Sequence, residues 1–380
     1  MNWRVMIYVQ HLLGIGHLMR TARIASGLAA GPFDVTVVSG GVPVPGIDFG
    51  AARLVQLSPL RASAEAFSSL LDTDGAPLSA AGAAQRTALL LAAFDAARPQ
   101  ALLIEMFPFG RRQMRFELLP LLAHARAQVP RPLVLSSIRD ILQAVRKPER
   151  ALETAALIAS DFDHVLVHGD GVATPLTDSF PLAAGFADKL VYTGLVGPPA
   201  TPDAAIDAHD VIVSAGGGAV GENLLHCALA ARHLTALRDL RWLAITGPNM
   251  PAAAVAQLQE RAGERVELAP FVTQLPQRLA GACLSISQAG YNTVAEIMAA
   301  GTRSVLVPFA AQGETEQTVR AQALAGQGRA IMLAEAELSS QRLAQAIAAV
   351  LALPAPVAAT GQDGAANTRH FLQRVLAMRG

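Results

Sequence analysis

The chain has 380 residues, 52 % hydrophobic and only 16 % charged, which excludes a disordered or fibrous protein and leaves length for two domains. Lys+Arg and Asp+Glu both number 30, so the formal net charge is +0 and the chain offers no basic field to a nucleic acid. No stretch approaches the ~18 uninterrupted apolar residues of a spanning helix, and residues 1–9 lack a small-residue cleavage site. A cytoplasmic protein is expected, its two cysteines, Cys227 and Cys283, standing as buried thiols among apolar neighbours.

Short β-branched apolar runs alternate with alanine-rich amphipathic stretches. Strands are predicted at 4–9, 34–39, 53–57, 101–105, 133–137, 164–168 and 190–193, with helices at 17–29, 82–97, 112–127 and 148–159 between them. Continuous apolar strands alternating with helices predict a parallel sheet covered on both faces. Residues 194–207 (GLVGPPATPDAAID) break the rhythm and read as a linker. The alternation then restarts, with strands at 210–214, 242–246, 266–268, 284–287, 304–307 and 330–332. Two doubly wound, Rossmann-type halves follow, 1–200 and 201–380, with a last helix at 367–378 able to pack back across the hinge.

Open α/β sheets bind ligands at the carboxyl ends of their strands. The first such loop is Gln10-His-Leu-Leu-Gly14-Ile-Gly16-His17, leading into a helix. A dinucleotide fingerprint needs glycine at 19 and an acid ending the second strand, where Met19, Ser39 and Gly40 stand, so an NAD site is excluded. His17 at a helix N-terminus is disfavoured as imidazolium and can serve as a base; its other reading is an ordinary helix-capping residue. The second loop, Ser214-Ala-Gly216-Gly217-Gly218-Ala-Val-Gly221, is followed by Glu222 instead of the lysine a P-loop requires. Consecutive glycines before a helix still suit a diphosphate.

The third stretch runs Gln288-Ala-Gly290-Tyr-Asn292-Thr293-Val-Ala-Glu296, then Glu316-Gln317-x-x-Arg-Ala321. Glu296 shares a helical face with Asn292 and Thr293, where a carboxylate can accept two ribose hydroxyls; Thr293-x-x-Glu296 is equally a capping box. Glu314 and Glu316 are open to a similar reading, as complements of a helix dipole.

This stretch resembles the donor-binding signature of GT-B glycosyltransferases, and the second half is similar to that of the lipid II-forming N-acetylglucosaminyltransferase family and to plant-type glucosyltransferases. Gly14-x-Gly16-His17 looks like the glycine loop and base of the same superfamily, and also resembles the UDP-sugar hydrolase of pseudaminic acid synthesis. The resemblance implies a GT-B-like α/β fold, two Rossmann-type domains facing across a cleft. It implies that Gly216, Gly217, Gly218 and the amides near Gly290, with Gln288, Asn292 and Thr293, hold the donor diphosphate. Glu296 would bind the ribose, Phe271 and Val272 would flank the base, Glu316 and Gln317 would contact the sugar, and His17 would deprotonate the acceptor. Gln288 stands where the plant-type enzymes carry histidine, which makes any phosphate contact there neutral and weaker.

On the acceptor side stand Gly14, Gly16, Arg139 and Asp140. Residues 107–116, aromatics interleaved with arginines, suit an anionic acceptor or a membrane surface, against the plain reading of a basic loop. His226, Cys227 and His233 lack further ligands at a metal-like spacing, and His164 and His168, ~13 Å apart on one strand face, cannot chelate one ion. No Asp-x-Asp pair stands near the donor motif, so metal-independent chemistry is expected, with the nucleotide-sugar as substrate and no cofactor. The expected activity is inverting transfer from a UDP-sugar to a glycan, lipid-linked sugar or small-molecule hydroxyl, in the cytoplasm or at the inner membrane face. A nucleotide-sugar hydrolase or 2-epimerase needs the same base; a regulatory binding module needs none, which argues against it.

Overall fold

A computed structural model of the chain describes residues 2–12, 14–63, 69–143, 147–198, 209–216, 221–247, 249–310, 314–354, 356 and 363–379. The chain divides into two units, Met1–Val196 with Gln362–Gly380, and Gly197–Gly361.

In the first unit, β1 (Trp3–Val9), β2 (Phe33–Ser39), β3 (Arg53–Gln56), the short antiparallel pair β4 (Arg61–Ala62) and β5 (Leu70–Leu71), β6 (Ala101–Glu105), β7 (Leu133–Arg139), β8 (His164–His168) and β9 (Leu190–Tyr192) follow along the chain. Seven of them form one parallel sheet in the order β3-β2-β1-β6-β7-β8-β9. Strand β1 is buried from Val5 onward because its side chains alternate between two cores. Met6 and Tyr8 pack into one with Leu102 and Phe162, and Val5, Ile7 and Val9 into the other with Leu18 and Leu28. The helices are α1 (Gly16–Ala29), α2 (Ala80–Ala97), α3 (Arg115–Arg126), α4 (Pro148–Asp161) and the single turn α5 (Leu176–Ser179). Ser79 caps α2 through Oγ, which accepts from Gly82 N.

The second unit contains β10 (Val211–Ser214), β11 (Trp242–Ile245), β12 (Val266–Ala269), β13 (Leu284–Ser287), β14 (Ser304–Leu306) and β15 (Ile331–Met332), parallel in the order β12-β11-β10-β13-β14-β15. Its helices are α6 (Glu222–Arg232), α7 (Ala252–Ala262), α8 (Leu275–Gly281), α9 (Tyr291–Ala300), α10 (Glu316–Gly326) and α11 (Ser340–Ala352). The final helix, α12 (Gly364–Ala377), belongs to the first unit. Asp363 caps it, Phe371, Leu372 and Leu376 join the core beneath α1, and Arg369 donates to Gly27 O at 3.2 Å. Cys227 and Cys283 are free and half-buried, not buried, because each sits at the margin of the second unit's core.

Each sheet reverses winding direction once. In the first unit the reversal lies between β1 and β6, and in the second between β10 and β13. Chains leave a reversal point in opposite directions and open a crevice at the carboxyl ends of those strands, where ligands bind in such sheets.

Candidate active site

At the winding reversal of the first unit stand the loop after β1 and the last residue of β6. His17, the second residue of α1, faces Glu105, with Nδ1 3.0 Å from Oε1. Arg20, one turn further along α1, donates to the same oxygen, and Ser137 Oγ, from β7, donates to Oε2 at 3.0 Å. Glu105 is 1 % exposed and Arg20 3 %, whereas His17 keeps 22 % of its side chain open to solvent.

Burial alone would raise the Glu105 carboxyl, but Arg20 and the hydrogen bond from His17 overcome it and bring the pKa down to about 2. The carboxylate is therefore an acceptor only, so Nδ1 of His17 must carry the hydrogen and Nε2 is left with its lone pair. Burial lowers His17 to about 4, helped by the nearby Arg111 and Arg20 cations and opposed by the Glu105 bond. Desolvation, more than the helix N-terminus invoked from the sequence, keeps this imidazole neutral. A neutral imidazole oriented by a buried carboxylate, with part of its ring open to solvent, is a general base of the histidine–carboxylate type.

A buried network fixes the strand end that carries this loop. Arg86 Nε donates to Glu117 Oε2 at 2.7 Å, its Nη2 donates to Gln10 Oε1 at 2.7 Å, and Tyr8 also bonds Glu117. The chain after β2 must be glycine here: a Cβ on Gly40 would lie 2.0 Å from Arg86 Nη2, and one on Gly41 would lie 2.3 Å from the His11 ring. Of the remaining acceptor-side residues, Gly14 is exposed and Gly16 opens α1. Arg139 ends β7 half-buried, and Asp140 is buried with Oδ1 accepting from Ile141 N.

In the second unit the loops after β10 and β13 lie side by side. Gly216 takes φ +73°, and a Cβ there would stand 3.3 Å from Gln288 Oε1. Gly217 and Gly218 fall outside the described residues. Helix α9 starts at Tyr291 with Gly290 as N-cap, so its first-turn amides, including those of Asn292 and Thr293, are the groups a helix presents to an anion. This start overturns the capping-box alternative: Thr293 lies inside the first turn, and Glu296, half-buried one turn on, is a helix-face residue. Phe271 is 68 % exposed beside the half-buried Val272.

Glu316 and Gln317 turn inward. Glu316 is 4 % exposed and pairs with Arg320 Nη2 at 2.7 Å, while Arg320 Nη1 donates to Ala289 O at 2.8 Å. Gln317 Oε1 accepts from Ala289 N at 3.0 Å and Phe309 N at 3.1 Å. Together they hold the Gln288–Gly290 loop in shape.

The aromatics of residues 107–116 do not form a membrane wedge. Phe107 is 1 % exposed, Phe109 stacks edge-on against Phe180 at 5.2 Å, and Phe116 packs on the core. Arg112 and Arg115 both pair with Glu153, and Arg111 Nε donates to Gln10 O at 2.6 Å. Asp-x-Asp triplets do occur, in the first unit. Asp72 Oδ1 accepts from Asp74 N and Ala76 N within a turn, while Asp161 and Asp163 pair with Arg126 and Arg131. Among the described residues no group of three His, Cys, Asp or Glu side chains could hold a metal ion, and no helix is long and apolar enough to cross a membrane.

Sequence reasoning assigns no role to Glu105, Arg20, Ser137 or Arg320, although Arg320 stands within the Glu316–Ala321 motif. A signal for Glu105 was present: one acid closes an otherwise apolar strand, Ala-Leu-Leu-Ile-Glu, at the end where ligands bind.

Two parallel, doubly wound sheets, each with its polar loops at the winding reversal, define the GT-B class of architecture. The fold aligns over almost its whole length with solved glycosyltransferases. For the spinosyn rhamnosyltransferase SpnG the TM-score is 0.62 at 17 % identity, over 99 % of this chain and 100 % of that one. For MurG of Acinetobacter baumannii it is 0.60 at 14 % identity, over 98 % and 99 %. Residues 211–371 match the glycosyltransferase family 28 C-terminal domain. The UDP-N-acetylglucosamine–N-acetylmuramyl-(pentapeptide) pyrophosphoryl-undecaprenol N-acetylglucosamine transferase of Paraburkholderia phytofirmans is 30 % identical over 229 residues, 56 % of this chain and 55 % of that protein. The transferase of the same name from Rhodospirillum centenum is 40 % identical over 104 residues, 27 % of each. The alignments thus span between about a quarter and just over half of these relatives. The chain is a GT-B-fold protein whose second unit resembles the lipid II-forming family.

Proposed function

We propose that this chain is an inverting glycosyltransferase that moves a sugar from a UDP-sugar to an acceptor hydroxyl without a metal ion. The observation that carries the reading is the His17–Glu105 pair at the winding reversal of the first unit. The acceptor hydroxyl gives its proton to His17 Nε2 as its oxygen attacks the anomeric carbon, and Glu105 steadies the imidazolium. The bond to the nucleoside diphosphate breaks, and the leaving charge is stabilised by the α9 amides and the glycine loop after β10. Glu296 accepts from the ribose, Phe271 and Val272 flank the base, and Glu316 and Gln317 act on the donor by holding the Gln288–Gly290 loop.

The donor is a UDP-N-acetylhexosamine by likeness to the curated relatives, whose names also specify a pyrophosphoryl-undecaprenol acceptor. Arg111 beside His17, with Arg139 near it, suits an acceptor carrying phosphate. With such a lipid-linked acceptor the chain works at the inner face of a membrane, through a surface other than the Phe107–Phe116 aromatics.

Turnover of a UDP-sugar panel tests the reading. Release of UDP should need acceptor, and His17→Ala should lower turnover about 10²–10⁴-fold while UDP binding, followed by calorimetry, stays nearly unchanged. Rapid, saturating UDP release without acceptor would make the same base a hydrolase's, and full activity in His17→Ala would remove it from the mechanism.

A further inference from the structure

Glu105 does not end at His17. Its second oxygen begins a buried chain of side chains that crosses the carboxyl ends of four successive strands or the residues just beyond them. Ser137 Oγ lies 3.0 Å from Glu105 Oε2 and 2.9 Å from His168 Nε2, and His168 Nδ1 lies 2.7 Å from Thr193 Oγ1. Ser137, His168 and Thr193 are 1 %, 0 % and 2 % exposed. Asn367 of α12 donates to Thr193 O at 2.8 Å and anchors the far end.

The hydrogens in this chain follow from one charge. Ionised Glu105 can only accept, so Ser137 must donate its single hydrogen to Oε2. Ser137 Oγ then has only lone pairs to offer His168, which must carry its hydrogen on Nε2. Nδ1 of His168 is left as an acceptor, and Thr193, whose hydroxyl is closer to it than to Gly194 O at 3.2 Å, donates there. Every hydrogen points toward Glu105, and the same carboxylate sets the opposite tautomer, Nδ1–H, in His17.

We propose that His168 is a positioning residue of the active site: through Ser137 it holds Glu105 Oε2, so that Oε1 stays aimed at His17 and Nε2 of His17 stays open to the acceptor. The inference rests on the transferase reading only for what His17 does with that lone pair. Aligned donors polarise one another, so His168 strengthens the Ser137 bond to the carboxylate. They also draw charge off Glu105, which keeps it from over-stabilising a proton on His17. The charged groups acting on His168 are Arg20 from α1, Glu105 from β6 and Asp140 after β7, and burial keeps the ring neutral.

The test is a titration of His17 by NMR in the full chain, with no substrate present. Removing a donor from the carboxylate makes it a stronger partner for imidazolium, so the His17 midpoint should rise. Ser137→Ala should raise the proton affinity about tenfold, the scale of one hydrogen bond to a charged group. His168→Leu should move the midpoint in the same direction, His168→Gln, whose amide can donate near the Nε2 position, should recover most of the change, and the double variant should add nothing to Ser137→Ala. In turnover, Ser137→Ala and His168→Leu should lower kcat and leave KM unchanged, because a carboxylate that is no longer held lets Nε2 of His17 turn away from the acceptor. An unmoved midpoint in folded His168→Leu, or additive effects in the double variant, overturns the proposal. Should His168→Leu not fold, an unmoved midpoint in Ser137→Ala, which deletes one oxygen, overturns it alone. A wild type that turns over no UDP-sugar refutes the transferase reading and leaves the titration to decide the chain of bonds.

Discussion

Replacing Glu105 by glutamine keeps the volume and one carbonyl oxygen but removes a buried negative charge. In the wild type that charge faces Arg20, 3 % exposed, and lowers the Glu105 pKa from its ordinary 4.5 to about 2. At about 1.4 kcal/mol per pH unit, the displacement corresponds to about 3 kcal/mol at neutral pH. The cost of stranding a buried cation, about 3–5 kcal/mol, brackets the same figure. The sign is set by linkage: a carboxylate with a depressed folded pKa contributes its stability above the unfolded value, and the contribution is lost as pH falls from about 4.5 toward 2. Urea denaturation of wild type and Glu105→Gln should therefore show a gap of about 3 kcal/mol at pH 7 that narrows below pH 4.5. The exposed Asp95–His124 pair is a control, since Asp95→Asn should change stability by less than about 1 kcal/mol. Turnover of Glu105→Gln should fall about 10²-fold or more, because the imidazolium formed on His17 loses the carboxylate charge that stabilises it. A gap that is below about 1 kcal/mol, or that is equal at pH 7 and pH 3.5, would refute the assignment of Glu105 as the ionised partner of Arg20 and His17.

Three further outcomes are expected. The acid limb of kcat/KM should lie near the pKa of about 4 for His17, so the profile should be level from pH 8 to 5.5; a limb at the ordinary 6.5 would contradict a partly desolvated, neutral base. Glu296→Gln should leave the melting temperature unchanged, since Gly290 caps α9, yet weaken UDP binding roughly ten- to hundredfold by calorimetry; unchanged affinity would remove Glu296 from the ribose site. Gly41→Ala would place a Cβ 2.3 Å from the His11 ring, and chemical denaturation should show a loss of about 1–3 kcal/mol.

Much of this protein is written in local pattern. Apolar strands alternating with amphipathic helices dictate parallel sheets with two covered faces, and β1 needs two cores because its side chains alternate without a polar face. Glycine loops after β1 and β10, and the Gln288–Glu296 stretch after β13, mark the ligand side because a strand end followed by glycine and a helix exposes backbone amides. Tertiary structure decided what stands opposite each of these. Glu105 meets His17 across 88 residues only because β6 lies beside β1, and α12 reaches Gly27 across 342. The Phe107–Phe116 aromatics read as surface because arginines interleave them, but Phe180 and Phe186 arrive from distant sequence to bury Phe109. Periodicity reports which face of an element is apolar; it carries no record of which element will cover that face. The polar partners of a site share this limit, since a carboxylate's proton affinity depends on neighbours that only strand order brings within 3 Å.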